Sequence, residues 1–398
     1  MLSIDFLLDL AIILLSTKVL GIITKRIQMP QVVGALIAGL ILGPACFGVI
    51  HETDFISKMS ELGVIVLMFG AGLGTDIKEM KKCGKASLII AVIGVVVPLF
   101  GGFIISALFN NSSNIFEINS KVFLENIFIG VVLTATSVSI TVETLQEMGK
   151  LKTSSGTAIL GAAVIDDIIG IILLTIITGI SNPEVNILGV LLKILGFFLF
   201  AIIIGYIFYK IFNKYGEHHG EKRRIPLVAF VFCLFLSFIS EKYFGVADIT
   251  GAYIAGIVLS NTTRSHYIER KIEIVSYMLL APIFFANVGI KTTLNGLNSS
   301  MLIFSLSLLI VAIVTKIVGC GIGAKLCGYT NDESLKIGIG MISRGEVALI
   351  VANIGVSMKL ISDKYFGPVI LVVIVTTLIT PILLKVVYSK SDNKTIKA

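Results

Sequence analysis

The chain has 398 residues, of which 56% are hydrophobic and only 14% are charged, and its mean hydropathy is +0.98. A soluble domain usually carries about 25% charged residues, so the composition excludes an ordinary soluble protein and indicates a polytopic membrane protein. The formal net charge of +7 would suit a nucleic-acid partner, but the basic residues are distributed as membrane orientation requires.

Apolar segments long enough to cross a bilayer recur along the whole chain. All of them should be helical, because an open sheet edge cannot exist in lipid. The start, MLSIDFLLDLAIILL, has no basic leader and no small-residue cleavage site, so we expect a retained first span. The sequence therefore predicts an all-α membrane protein with 13 spans, at residues 4–24, 30–44, 56–75, 86–109, 123–149, 157–180, 188–213, 226–244, 248–262, 274–293, 301–327, 337–361 and 368–387.

The lysines and arginines in the loops and near the ends of the spans predict the orientation. Alternate loops place 22 of them on one side and 6 on the other. Because basic residues stay cytoplasmic, the N-terminus should be outside and the C-terminus inside the cell membrane. The larger set includes Lys25, Lys78, Lys82, Lys150, Lys152, Arg264 and Lys390, and the smaller set is Lys58, Lys121, Lys242, Lys291, Lys359 and Lys364.

Two halves of the chain resemble each other. GALIAGLIL, from Gly34, and GAYIAGIVL, from Gly251, are identical at six of nine positions. The same offset relates Gly72 to Gly289, and the second span to the ninth. An odd displacement of seven spans makes the repeats antiparallel, as in secondary transporters. The predicted segments are a first helix at 1–29, repeats at 30–180 and 226–388, a linking helix and cytoplasmic loop at 181–225, and a short cytoplasmic tail at 389–398.

The corresponding fifth and twelfth spans are the candidate broken helices. Hydroxyl residues crowd the middle of the fifth span, and a Ser-Arg-Gly-Glu stretch occupies the matching place in the twelfth. Unwound backbone and hydroxyls there can bind a cation, although hydroxyls in a helix also bond to its own carbonyls. Arg344 and Glu346, together with Lys316, are candidate charge-coupling residues, and Arg344 and Glu346 can also form a structural ion pair. The residues are Thr134, Thr136, Ser137, Ser139, Ser343, Arg344, Gly345 and Glu346.

Two adjacent carboxylates, Asp166 and Asp167, are the only charged residues between Thr157 and Ile180. One charge at mid-membrane costs roughly 2.5–3.5 kcal/mol on insertion scales, so packing does not explain two. Successive helix residues point about 100° apart, and one aspartate can therefore pair with a cation while the other faces a cavity. Lys316 is the natural partner, because it is charged within a span and takes the place that Leu99 has in the first repeat. A purely structural Asp–Lys pair would leave the second carboxylate unexplained.

These groups suit a small cation. Na⁺ prefers hard oxygen ligands, which Asp166, Asp167, Thr134 and Ser137 can supply. A carboxylate that holds either a proton or a cation is sufficient for exchange, provided that the site faces one side at a time. The five cysteines are scattered and match neither a zinc site nor a disulfide framework, and no cofactor is predicted.

The paired aspartates and the later lysine carry a family resemblance. The chain resembles the bacterial monovalent cation:proton antiporter-2 family, and especially its two-aspartate sodium/proton antiporters, over nearly its whole length. This resemblance implies a homodimer with a dimerisation domain and a moving core, an ion bound at Asp167, and an Asp166–Lys316 pair. Its motifs are VIDDIIG (164–170), KIVG (316–319), MISRGEVALI (341–350) and APIFFANVG (281–289).

The sequence thus favours a sodium/proton antiporter rather than an enzyme, with Na⁺ and H⁺ as transported partners, lipid around it and no nucleic acid. Potassium/proton exchange is the near alternative. A sodium-coupled organic-anion symporter is less favoured, because Arg344 is its one obvious anion ligand. A passive channel would need a continuous polar pore, which buried carboxylates beside a lysine do not provide.

Overall fold

We describe a computed structural model, which covers residues 4–110, 121–181, 187–219, 224–292 and 299–397. Within these ranges every regular secondary-structure element is a helix. The helices are α1 (Asp5–Arg26), α2 (Gln31–Leu42), α3 (Asp54–Leu73), α4 (Ile77–Asn110), α5 (Lys121–Thr134), α6 (Val138–Glu147), α7 (Ser154–Ser181), α8 (Ile187–His219), α9 (Arg224–Phe244), α10 (Asp248–Ser260), α11 (Ser265–Val275), α12 (Ala281–Ile290), α13 (Ser299–Leu326), α14 (Asn331–Gly340), α15 (Glu346–Ser357) and α16 (Phe366–Lys397).

The predicted all-α class is confirmed. In the described ranges ten helical segments are long and apolar enough to cross a membrane, two of which join consecutive helices, α5 with α6 and α11 with α12. Shorter apolar helices are Gln31–Leu42, Asp248–Ser260 and Val347–Ser357. Each predicted span overlaps a helix or a pair of helices, although the number of crossings remains a prediction.

Several helices extend beyond the predicted spans. Helix α4 begins at Ile77 rather than 86, because its first turns are charged and exposed, so hydropathy placed them in a loop. The tenth span is preceded by the amphipathic α11, and a π-helical turn, Ser276–Leu280, joins α11 to α12. A hydropathy scan misses α11 because its polar face offsets its apolar one.

The helices form two groups according to which neighbours they contact. Helices α4–α7 and α13–α16 pack mainly on one another, with α4 against α5, α7 and α13. We call this group the core bundle. Helices α1–α3 and α8–α12 form the second group, the scaffold, in which α2 packs on α1 and α12, and α3 packs on α10.

Glycines allow the closest helix approaches in the scaffold. A Cβ atom on Gly39 or on Gly289 would overlap the backbone of the other's helix, which brings α2 and α12 together. Gly72 and Gly256 bring α3 and α10 together in the same way. The repeat offset relates Gly39 to Gly256 and Gly72 to Gly289, so the two contacts correspond to each other. This correspondence is what antiparallel repeats would produce.

Both predicted breaks are present. The fifth span is interrupted at 135–137, between α5 and α6, and the twelfth at 341–345, between α14 and α15. The interruptions cross in the core bundle, where the backbone N–H of Ser137 donates to the carbonyl of Ser343 at 2.7 Å. In return the hydroxyl of Ser343 donates to the carbonyl of Ser137 at 2.8 Å. The unwound backbone of each break is thereby partly satisfied by the other.

Candidate functional site

Helix α7 carries the two adjacent carboxylates into the interior of the core bundle. It packs against α4, α5 and α14, and both aspartates are buried, with Asp166 2% and Asp167 9% exposed. The helical rotation between them gives the two side chains different surroundings.

Lys316, on α13, reaches Asp166. Its Nζ lies 3.2 Å from Oδ1 and 3.3 Å from Oδ2, and both side chains are essentially inaccessible to solvent. Thr136, in the first break, is close enough to the Asp166 side chain to interact with it. A buried charge is tolerated when it is paired, so the contact with Lys316 stabilises Asp166 in the interior.

Arg344 hydrogen-bonds the C-terminal end of α5, where the two breaks cross. Its guanidinium is fully buried and donates to the carbonyls of Leu133 at 2.7 Å, Ile342 at 2.8 Å and Ala312 at 3.1 Å. Leu133 is in the last turn of α5, where carbonyls lack helical partners and the macrodipole is negative. The positive charge of the guanidinium therefore compensates the negative end of the α5 dipole. The side chain of Glu346 lies outside what the structure describes, so its predicted pairing and charge-coupling role remain predictions.

The two hydroxyl residues predicted as cation ligands flank the first break. Thr134 is 1% and Ser137 is 1% exposed. The Thr134 hydroxyl donates to the carbonyl of Val131 at 2.7 Å, which is the bond to its own helix that the sequence left open. The Ser137 hydroxyl lies 3.3 Å from that of Ser139. A donating hydroxyl keeps its oxygen lone pairs, so neither contact prevents cation binding.

Sequence reasoning missed two hydroxyl groups that stabilise the crossing. Thr141 donates to the carbonyl of Gly340 at 2.7 Å and lies 2.9 Å from the Ser343 hydroxyl. Thr377, on α16, donates to the carbonyl of Arg344. Thr141 could have been noticed as a continuation of the hydroxyl-rich run, whereas the sequence contains no signal that brings Thr377 to this point.

A narrow crevice runs between α6, α7 and α14. Its lining includes Ser137 and Thr141 on one wall, Ala163 on the other and Gly340 at the edge. Ala163 is four residues before Asp167, so both lie on the same face of α7. Asp167 itself does not line the crevice.

Crossed half-helices around a buried carboxylate–lysine pair are features of a membrane-embedded secondary transporter. The fold agrees with a solved structure, the sodium proton antiporter MjNhaP1 from Methanocaldococcus jannaschii. Its TM-score is 0.71 at 19% sequence identity, over 98% of this chain and 96% of that one.

The sequence comparisons identify the family. The family model described as "Sodium/hydrogen exchanger, transmembrane" matches residues 11–390. Among curated relatives, the Na(+)/H(+)-K(+) antiporter GerN of Bacillus cereus is 37% identical over 98% of each chain. The probable Na(+)/H(+) antiporter GerT of the same organism is 40% identical over 96% of this chain and 98% of its own. The chain belongs to the sodium/hydrogen exchanger family.

Proposed function

We propose that this protein is a secondary active antiporter, which exchanges Na⁺ for H⁺ by alternating access at the buried aspartate pair. The observation that carries the proposal is the buried contact of Lys316 with Asp166, directly beside a second buried carboxylate, Asp167. Full-length relatives that are named Na(+)/H(+) antiporters support the same activity.

The two aspartates have different roles in this proposal. Asp166 is held by Lys316, so it fixes the position of α7 against α13. Asp167 points about 100° away from it and binds the transported ion. A proton and a cation neutralise the same carboxylate, and each therefore displaces the other. This competition couples the two fluxes without requiring a second site.

The remaining ligands would come from the first break. Thr134 and Ser137 provide hydroxyl oxygens, and backbone carbonyls near 135–137 can complete an oxygen shell of the kind that hard cations prefer. Asp166 adds charge to the site when its contact with Lys316 loosens. The transported cation is thus held by Asp167, Asp166 and Thr134, with Ser137 at the margin.

Potassium/proton exchange is the second candidate, and the name of GerN, a Na(+)/H(+)-K(+) antiporter, favours keeping it. The organic-anion symporter loses its main support, since the guanidinium of Arg344 is buried and donates to three carbonyls. An anion would have to replace those contacts.

The proposal extends to the setting of the protein. The distribution of basic residues supports a cell-membrane protein with an external N-terminus and a cytoplasmic C-terminus. Apolar side chains on α1, α8 and α9 are extensively exposed, which suits lipid and a second copy in a homodimer. The corresponding glycine contacts in the scaffold support the inverted repeats at 30–180 and 226–388.

Purified protein in liposomes tests this function. With a preset proton gradient, addition of Na⁺ should dissipate the gradient, as followed by a pH-sensitive dye. Addition of K⁺ measures the alternative, and an organic anion with Na⁺ tests symport. Empty liposomes are the control for leakage. A gradient that persists after addition of either cation would contradict the proposal.

A further inference from the structure

The core bundle meets the scaffold unevenly at its two ends. Helix α6, the second half of the fifth span, packs against α2 and α3 of the scaffold as well as α7 and α16, and seven of its ten residues are buried. Helix α15, its counterpart in the twelfth span, packs against α5 and α16 of the core bundle. A face of α15 with Ile350, Asn353 and Ser357 is exposed. The structure is therefore closed at the α6 end and open along α15.

Glu147 connects the core bundle to the scaffold at the closed end. It is the last residue of α6, and its two carboxylate oxygens each lie 2.8 Å from the backbone N of Gln31. Gln31 is the first residue of α2, which has no side-chain cap of its own. Helix N-termini leave N–H groups unsatisfied and attract negative charge. A residue of the core bundle thus caps a scaffold helix.

Lys152 makes a second contact from the same turn. Its Nζ lies 3.9 Å from Oε1 of Glu269, on the amphipathic scaffold helix α11. Both contacts are water-accessible, so each is weak enough to break.

We propose that the α6–α7 turn is a releasable latch, in which Glu147 on the N-terminus of α2 and Lys152 on Glu269 hold the core bundle against the scaffold. Alternating access requires the core bundle to leave this position, which breaks both contacts together. Loss of the latch then favours the opposite conformation, in which α15 closes on the scaffold. The inference rests on the proposed transport cycle, but its test measures conformation and needs no transported ion.

The test uses a cysteine reporter on α15. In a background with Cys46→Ser and Cys327→Ser, the remaining cysteines are buried, and Asn353→Cys supplies one accessible thiol. A membrane-impermeant maleimide is added to intact cells from outside, and the labelling rate is measured. The latch variants are Glu147→Ala and Lys152→Met. The matched controls are Glu61→Ala and Lys58→Met, which remove an exposed ion pair within the scaffold helix α3.

Glu147→Ala should lower the ratio of protein with α15 exposed to protein with α15 closed on the scaffold about fivefold. This is the effect expected from the loss of one helix N-cap. Lys152→Met leaves the end of α2 untouched and should lower it about twofold. The reporter should label rapidly without these changes, and the control variants should match it. General loosening of the structure would raise labelling instead. Labelling that is unchanged or faster in both latch variants would overturn the proposal. Absence of labelling in the Asn353→Cys reporter protein without latch substitutions would also overturn it.

Discussion

Asp166 and Asp167 show how neighbours in sequence acquire different chemistry. Both are buried on one helix, yet the Lys316 ammonium contacts both oxygens of Asp166. That pair is satisfied, and removing one partner would leave a buried charge unpaired. Loss of Asp166 should therefore disturb the fold, whereas a neutral replacement of Asp167 should disturb the exchange.

Asp167→Asn should abolish cation-dependent proton movement in proteoliposomes while the protein still folds, because an amide of the same shape cannot exchange a proton for a cation. Asp54→Asn, at an exposed position in the first turn of α3, is the matched control and should transport normally. Dye-detected exchange near the wild-type rate in Asp167→Asn would remove Asp167 from the centre of the mechanism.

Lys316→Gln addresses charge movement. A buried lysine can release its proton when its carboxylate partner is engaged elsewhere, so two protons would exchange for one Na⁺ and one net charge would move. That charge would be driven by about 2.3 kcal/mol per 100 mV. Glutamine keeps a hydrogen-bond donor but cannot titrate. Exchange in the variant should be slower, electroneutral and insensitive to voltage.

Currents on a solid-supported membrane measure this difference, with wild type beside Lys316→Gln. Lys325→Gln, an exposed change nine residues further along α13, is the control and should keep the wild-type current. If the wild type is electroneutral, or if the variant moves undiminished charge per ion, then Lys316 is structural and carries no transported proton.

At the scale of elements, the sequence predicted the two breaks because their residue types are unusual for apolar spans. The hydroxyl cluster around Ser137 and the charged stretch at Arg344 both disfavour an uninterrupted membrane helix. The partners of these residues were not predictable. The guanidinium of Arg344 binds carbonyls on α5 and α13, and backbone acceptors leave no trace in side-chain identity.

Thr134→Val tests whether the first break contributes to the cation site. Valine keeps the shape of threonine and loses the hydroxyl, so the apparent affinity for Na⁺ should weaken by about five- to tenfold if one oxygen ligand is lost. The maximal rate should change less. Thr178→Val, whose hydroxyl also donates to its own helix at Leu174, is the matched control. Unchanged affinity in Thr134→Val would mean that the hydroxyl serves only the carbonyl of Val131.

At the scale of the whole molecule, sequence reasoning identified the all-α class and the Asp166–Lys316 contact, because both depend on patterns that the membrane enforces, while the antiparallel repeats remain a prediction. It did not predict the contacts between the core bundle and the scaffold. Those depend on the relative position of the two groups, which the proposed transport cycle would change, while the sequence is the same in every conformation. The sequence accordingly contains nothing that distinguishes Glu147 from an ordinary charge near a helix end.

The predicted orientation can be tested with two similar lysines at opposite ends of the molecule. Lys58 and Lys82 have side chains 67% and 71% exposed, and each pairs with a glutamate three residues away in its own helix. Lys58→Cys should react with an impermeant thiol reagent added to intact cells. Lys82→Cys should react only after the cells are opened. The reverse pattern would invert the assignment of the termini.

The hydrogen bond from Ser137 to Ser343 uses main-chain atoms alone, and this has a consequence for mutational scanning. Changing the side chain at position 137 leaves this donor in place, so substitutions there would not detect this particular hydrogen bond, whereas the bond from the Ser343 hydroxyl would be lost on substitution of Ser343. Proline at position 137 is the exception, because it has no N–H to donate. A proline effect far larger than that of alanine at this one position would reveal the main-chain bond.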